Sequence, residues 1–177
     1  MRCFKLASLL AVAILAAGAP LAAIEPAETG ILNATSPEPG ILFGGQPTAE
    51  QLGKLAAADY KTVIDLRAPT EDRGYDEAAA AKAAGLTYVP IPVTEETIKD
   101  PRTLDRFIEV FNDTEKPVLV HCAGGSRVAA VYYAWLVSEK KMSREEALAK
   151  AKEEGLRRET YIPPVNGYLD QKKDGGQ

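Results

Sequence analysis

Pro117-Val-Leu-Val-His121-Cys122-Ala-Gly-Gly-Ser126-Arg127-Val-Ala-Ala-Val-Tyr-Tyr-Ala-Trp-Leu-Val-Ser-Glu-Lys140 decides the fold. Pro117 to His121 is an unbroken apolar run, as expected of a strand covered on both faces. Residues 122–126 are small and read as a tight loop. Arg127 to Lys140 is apolar nearly all round until Val137, so it predicts a helix inside the core rather than on its surface. A buried strand running through a short loop into a buried helix is the repeating unit of an α/β domain.

The flanking sequence continues the alternation. Ile41-Leu-Phe43, ended by Gly44-Gly45, predicts a short first strand. Thr48 and Gln51 form a capping box for a helix that buries Leu52, Leu55 and Ala56. Thr62 to Leu66 predicts a strand, and Ala68 to Tyr75 a polar loop. Asp76 to Ala84 predicts a helix stopped by Gly85, where a left-handed residue is wanted. Leu86 to Val93 begins as a strand and leaves through two prolines. Asp100-Pro101 opens a helix whose Leu104, Phe107, Ile108 and Phe111 share one face. Ser143 and Glu146 cap another helix, ended by Gly155. The expectation is an α/β fold with a mostly parallel sheet of four to five strands and helices on both faces.

Around this lies a simple layout. Met1 to Lys5 is short and basic, Leu6 to Ala17 is apolar, and small residues follow to Ala23. That is the build of a signal peptide, with cleavage expected near Ala22 or Ala23 and a periplasmic or secreted mature protein. Twelve apolar residues fall short of the roughly 20 that span a bilayer, so no membrane insertion of the mature chain is expected. Residues 24–40 carry three prolines and read as a flexible lead-in. The catalytic domain is placed at 41–171, and 172–177 as a frayed end. Removing 23 of the 177 residues leaves 154, a size that buries roughly 70% of its surface without staples.

Charge and cysteine usage narrow the function. Without Arg2 and Lys5 the net charge of −4 becomes −6. An acidic chain without a basic run is a poor partner for nucleic acid. Cys3 leaves with the leader, so Cys122 becomes the sole thiol and no internal disulfide forms. An unpaired cysteine in an exported protein points to intermolecular pairing or a reactive thiol. The only histidine, His121, stands beside it. One His and one Cys do not make a zinc site without several carboxylates, so neither metal nor other cofactor is expected.

Cys122 falls where a strand ends, at the sheet edge on which α/β proteins place ligands. The N–H groups of residues 123–127 lack helical acceptors and suit an anion. Gly124 and Gly125 allow close approach and positive φ. Arg127 adds a planar fork for phosphate or sulfate oxygens. A cysteine so placed can have its pKa lowered to about 3.5–7.5, from about 8.5, and is expected to serve as a nucleophile. His121, ending an apolar strand, is read as positioning the loop rather than moving a proton.

His121-Cys122-x-x-Gly125-x-Arg127 after an apolar strand resembles the signature loop of the dual-specificity-like tyrosine phosphatase superfamily. More closely, the chain resembles the bacterial beta-lactamase-hydrolase-like phosphatases, through Gly45-Gln46-Pro47, Thr62 to Arg67, Gly85 to Val93 and Gly155-Leu156. The resemblance implies a cysteine-phosphatase fold without a metal. It implies that Cys122 attacks phosphorus to give a phosphocysteine, with Arg127 and the amides of Ala123, Gly124, Gly125 and Ser126 on the phosphoryl oxygens. It places a general acid just beyond the third strand, at Glu95, with Glu96, Asp100 and Asp72 as further candidates. Arg67 is a candidate second anion contact, or a partner of Glu71 or Asp72. The implied substrate is a phosphorylated protein or small phosphoester. Two features depart from the superfamily: four residues rather than five separate Cys122 from Arg127, and Val128 replaces the Ser or Thr that often follows the Arg. Rhodanese-like sulfurtransferases share the shorter loop. A persulfide-carrying sulfurtransferase and a non-catalytic oxyanion-binding module therefore stand as alternatives.

Overall fold

Four strands of four residues each line up in parallel, in the order β1-β4-β2-β3, in a computed structural model that describes residues 24–174. They are β1 (Ile41–Gly44), β2 (Thr62–Asp65), β3 (Thr87–Pro90) and β4 (Val118–His121). The sheet meets the lower bound expected and is wholly parallel. Gly44 pairs with His121, His121 with Asp65, and Asp65 with Pro90. The carboxyl ends thus form one edge, and every loop that follows a strand emerges there. The expected leader, its cleavage site and residues 175–177 lie outside the described residues.

Strand alternation sends side chains into two cores. Ile41, Phe43, Ile64, Val118 and Val120 join one cluster with α4 (Pro101–Asp113), α5 (Ser126–Ser138), α6 (Arg144–Glu153) and α7 (Ile162–Asp174). Leu42, Val63 and Leu119 join the other with α2 (Ala49–Ala57) and α3 (Glu77–Ala83). Helices cover both faces, as expected. Every residue of α5 from Val128 to Leu136 is buried, which answers to its lack of a polar face. The capping boxes at Thr48 and Ser143 are both formed. No helix among the described residues is long and apolar enough to cross a membrane.

Two expectations about the ends are corrected. Residues 24–40 are not a loose lead-in: Pro26–Thr29 forms the helical turn α1, closed by Gly30 at φ 70°. Thr35 and Phe43 exchange backbone hydrogen bonds of 3.1 and 2.8 Å, and Ile31 is buried in the second core. At the other end, α7 carries the chain through Lys172 rather than fraying there. Val165, Tyr168 and Leu169 face the core, and Tyr168 donates to Asp105 at 2.8 Å while Lys172 pairs with the same carboxylate. The packed body therefore extends past both limits of 41–171.

Because Ile31 is buried against the sheet, Ile31→Ala is expected to lower the unfolding free energy by about 2–5 kcal/mol, read from urea melts. A change within about 0.5 kcal/mol would return residues 24–40 to the status of a tether.

Candidate active site

β4 delivers Cys122 to the centre of the sheet edge, between the exits of β1 and β2. The backbone then turns sharply. Gly125 takes φ 92° as the N-cap of α5, a conformation that side chains rarely adopt. The loop's carbonyls are drawn away from the cleft: Ala123 O accepts from the Gln46 amide at 3.3 Å and Gly124 O from Asn33 Nδ2 at 3.0 Å. A β-carbon on Gly45 would lie 2.9 Å from Ala123 O, so glycine permits that close approach. Gly125 N–H donates to Cys122 Sγ at 3.1 Å. Among the described residues, the amides of Ala123, Gly124, Ser126 and Arg127 have no backbone acceptor. Donors are thus left unspent around the sulfur.

These groups line a cleft of about 670 Å³, with Cys122, Ala123, Gly124, Ser126 and Arg127 on one side. The Cys122 residue is only 2% exposed, so a ligand must enter the cleft to reach the sulfur. Arg127 is held by a bidentate pair with Glu71, at 2.6 and 2.8 Å, and by the Val93 carbonyl at 3.1 Å and that of Leu66 at 3.4 Å. Those contacts use Nη1 and one Nη2 hydrogen. Nε–H and the second Nη2 hydrogen remain, and they form one edge of the guanidinium, suited to two oxygens of a tetrahedral anion. The Glu71 hydrogen bonds and the negative charge available at Cys122 push the Arg127 pKa up. In return the Arg127 hydrogen bonds, opposed by partial burial and helped by the Ala68 amide, bring Glu71 down to about 2.

The expected acids separate by position. Glu95 lines the cleft beside Thr94; its side chain is 57% exposed and lies 3.4 Å from Arg158 Nη1. The turn that presents it is pinned, since Thr94 Oγ1 accepts from the amides of Glu96 and Thr97 at 3.2 and 3.0 Å and Ile98 is buried beneath. Glu96 points to Lys99, Asp100 caps α4 and pairs with Arg102, and the Asp72 carboxylate takes the Gly74 amide. None of these three lines the cleft. Arg67 takes the second of its two expected roles, a partner of Glu71 and Asp72 rather than an anion contact. Its guanidinium donates to Glu71, Gln46 and the Asp72 carbonyl, so it braces Glu71 from behind.

His121 is fully buried and takes no part in the cleft. Its Nε2 lies 2.8 Å from Glu77 Oε1, close but without hydrogen-bond alignment, and 3.7 Å from Asp65 Oδ1. Among the described residues, these three side chains are the ones that could gather around a cation. Arg73 already sits against them, 2.6 Å from Asp65 and 3.6 Å from Glu77. Tyr88 donates to Asp65 at 2.6 Å and Gln46 to Glu77 at 2.8 Å. The group anchors the strand end from beneath, as expected of His121.

Several cleft residues have no herald in the sequence. Glu71 sits in a polar loop, 56 positions from the arginine it holds. Arg157, Arg158 and Tyr161 form a further wall beside the cysteine loop. The amides of Arg157 and Arg158 both donate to Ser126 Oγ, at 3.2 and 3.0 Å, which ties that wall to the cysteine loop. Gly155-Leu156 before them was legible as an ending, not as a wall.

Glu71 is lowered from 4.5 to about 2 in the fold. A lowered acid contributes its stability above its ordinary value and loses it as pH falls through the lowered one. Glu71→Gln is therefore expected to destabilise the protein at pH 7 and to flatten the loss of stability between about pH 4.5 and 2. Denaturation curves across that range check it; an unchanged slope would contradict the pairing.

The family described as a DSP-PTPase phosphatase fused to NAD+ kinase matches residues 20–162, more than half of the chain. A beta-lactamase hydrolase-like protein of Xylella fastidiosa is 31% identical over 144 residues, covering 73% of this chain and 33% of that protein. NAD kinase 2 of Arabidopsis thaliana, a chloroplastic protein, is 32% identical over 97 residues, covering 52% of this chain and 10% of that protein. The chain thus spans a third or less of these relatives. In fold it is similar to a DUF442 protein of Shewanella putrefaciens CN-32, with TM-score 0.66, 22% identity, and 80% and 94% of the two chains covered. It is similar also to PTPMT1, with TM-score 0.66, 16% identity, and 81% and 98% covered. With a matching family over most of its length and a cysteine-phosphatase fold, the chain belongs to the dual-specificity-like (DSP-PTPase) phosphatase family.

Proposed function

We propose that the protein is a cysteine-dependent phosphatase that hydrolyses phosphate monoesters through a phosphocysteine at Cys122. The observation that carries this reading is the sulfur on the cleft floor, set among unspent amides with the free edge of Arg127 on the same cleft. The thiolate attacks phosphorus, an S–P bond forms, and the ester P–O bond breaks. Arg127 and the loop amides hold the equatorial oxygens as negative charge moves across them. Glu95 gives its proton to the departing oxygen. Water then attacks phosphorus, Glu95 takes a proton from it, and the S–P bond breaks to return the thiolate and release phosphate. Its position on the cleft wall favours Glu95 over the other acids for this role.

The substrate is a phosphotyrosine, mixed phosphoprotein or small phosphoester. The basic-apolar-small leader supports action in the periplasm or outside the cell; fractionation of cells making the full chain, with the mass of the mature protein, tests that placement.

Hydrolysis of p-nitrophenyl phosphate and sulfur transfer from thiosulfate to cyanide, measured side by side, test the reading. Phosphate release is expected, abolished by Cys122→Ser; turnover that survives this change, or sulfur transfer alone, would overturn it. Glu95→Gln is expected to cost about 10²-fold in kcat/KM on phenyl phosphate and far less on the nitrophenyl ester, whose leaving group needs little help.

The second chemical step has its own signature. Val128 offers no hydroxyl beside Arg127, and Ser126 Oγ already takes two amides. Breakdown of the phosphocysteine is therefore expected to limit turnover. Stopped-flow traces should show a burst of nitrophenolate approaching one equivalent of Cys122, and linear release from time zero would exclude slow breakdown.

A further inference from the structure

Three arginines line the cleft, and the proposed chemistry uses one of them. Arg127 is matched by Glu71. Arg157 and Arg158 line the cleft beside the cysteine loop, both exposed, on a chain whose net charge is negative. Among the described residues no carboxylate comes within 4.0 Å of Arg157; the pairs formed include none to it. Arg158 reaches Glu95 at 3.4 Å, with side chains 65% and 57% exposed, and such a contact between solvated groups is weak. Neither guanidinium is committed to holding the fold.

Their placement is nevertheless built. Leu156 is buried just before them and Tyr161 just after. Between these anchors the two backbone amides bond Ser126 Oγ, one residue from Arg127. The pair is thus fixed against the very loop that would hold the reacting phosphoryl group. Two donor forks carried on a backbone anchored beside one anion site are suited to a second anion. A substrate with a single charge leaves them idle.

We propose that Arg157 and Arg158 form a second anion subsite, and that the substrates are phosphomonoesters carrying a second negative group, a carboxylate or another phosphate, on the part that leaves. This rests on the phosphatase reading for the reacting phosphoryl group, but the recognition is readable without turnover. On binding, the second anion takes Arg158 from Glu95, so the same event that seats the substrate frees the carboxyl next to the leaving oxygen.

Calorimetry on the protein carrying Cys122→Ser tests the subsite. Two matched pairs serve as probes: phosphotyrosine peptides with Glu or with Gln on either side of the phosphotyrosine, and hexanediol bisphosphate against its monophosphate. The doubly anionic member of at least one pair is expected to bind about tenfold more tightly at low salt, an advantage that shrinks as salt screens an exposed site. Adding Arg157→Ala and Arg158→Ala should bring that ratio close to one. A gain with the peptides alone assigns the second charge to acidic side chains; a gain with the bisphosphate alone assigns it to a small molecule. A ratio of one in both pairs, a ratio that survives loss of both arginines, or no binding of any probe at millimolar concentration would overturn the proposal. Should the preferred esters bind but pass through the unsubstituted protein unhydrolysed, the subsite stands and the phosphatase reading fails.

Discussion

The bidentate pair between Arg127 and Glu71 sets the chemistry that this fold can offer. An arginine side chain has many rotamers, and fixing one costs conformational entropy. Glu71 meets that cost once, during folding, by taking both Nη atoms. The carboxylate is itself held, by Arg67 from one side and the Ala68 amide from the other. What remains free on Arg127 is a single edge of known orientation. Donors fixed before a ligand arrives need no reorganisation when charge develops, which is where such sites gain their effect. Removing Glu71 would leave a half-buried cation without its partner, a loss that typically costs several kcal/mol.

A second electrostatic layer lies beneath. Asp65, Glu77 and His121 are buried under the strand ends, with Arg73 as counter-charge. Two buried carboxylates without partners would be expensive, so the cluster exists only as a set. Its members come from β2, the loop after it, α3 and β4. It therefore locks those elements at the point where the cysteine loop begins. The His121 carbonyl also accepts from the Leu66 amide at 2.9 Å, so one residue ties β4 to β2 by its main chain and to α3 by its side chain. The loop's other flank is tied to the lead-in by Asn33 and to the β1 exit by Gln46. A four-residue turn between Cys122 and Arg127 is thus clamped from three directions.

The sheet and most helices were legible because local rules agreed with the global fold. Capping boxes at Thr48 and Ser143, the face of α4 and the apolar length of α5 each point to one structure. The ends were not. Three prolines made residues 24–40 look loose, yet Ile31 is the kind of single apolar anchor that composition averages away. Helix α7 begins with Ile162-Pro-Pro, which reads as a break, although prolines fit a helix's first turn and Val165, Tyr168 and Leu169 carry the spacing of one face. In the site, Cys122 and Arg127 were visible because one turn of chain brings them together. Glu71, Arg157 and Arg158 were not, because their roles depend on which loops the sheet order β1-β4-β2-β3 gathers at one edge. Arg67 shows the same limit from the other side. Its residue type and strand end allowed either a ligand anion or a carboxylate of the next loop, and only the position of Glu71 decides what it holds.

That division locates where this fold is free to vary. The cysteine loop is constrained on nearly every atom: φ at Gly125, approach at Gly45, carbonyls drawn off by Asn33 and Gln46. The two segments beside it are held through buried anchors and hydroxyl-to-backbone bonds, Ile98 and Thr94 for the turn bearing Glu95, and Leu156, Tyr161 and the Ser126 hydroxyl for the segment bearing the arginines. Side chains between those anchors are exposed and can change with little cost to stability. Chemistry common to a family belongs on the rigid part, and discrimination among esters on the part that folding leaves alone. The Glu95–Arg158 contact joins two exposed side chains that both line the cleft, so a ligand large enough to reach both must compete with it. Under the proposed assignment of Glu95 and the arginines, selection of a substrate and release of the acid are a single event, set by charge at the rim rather than by any movement of the cysteine loop.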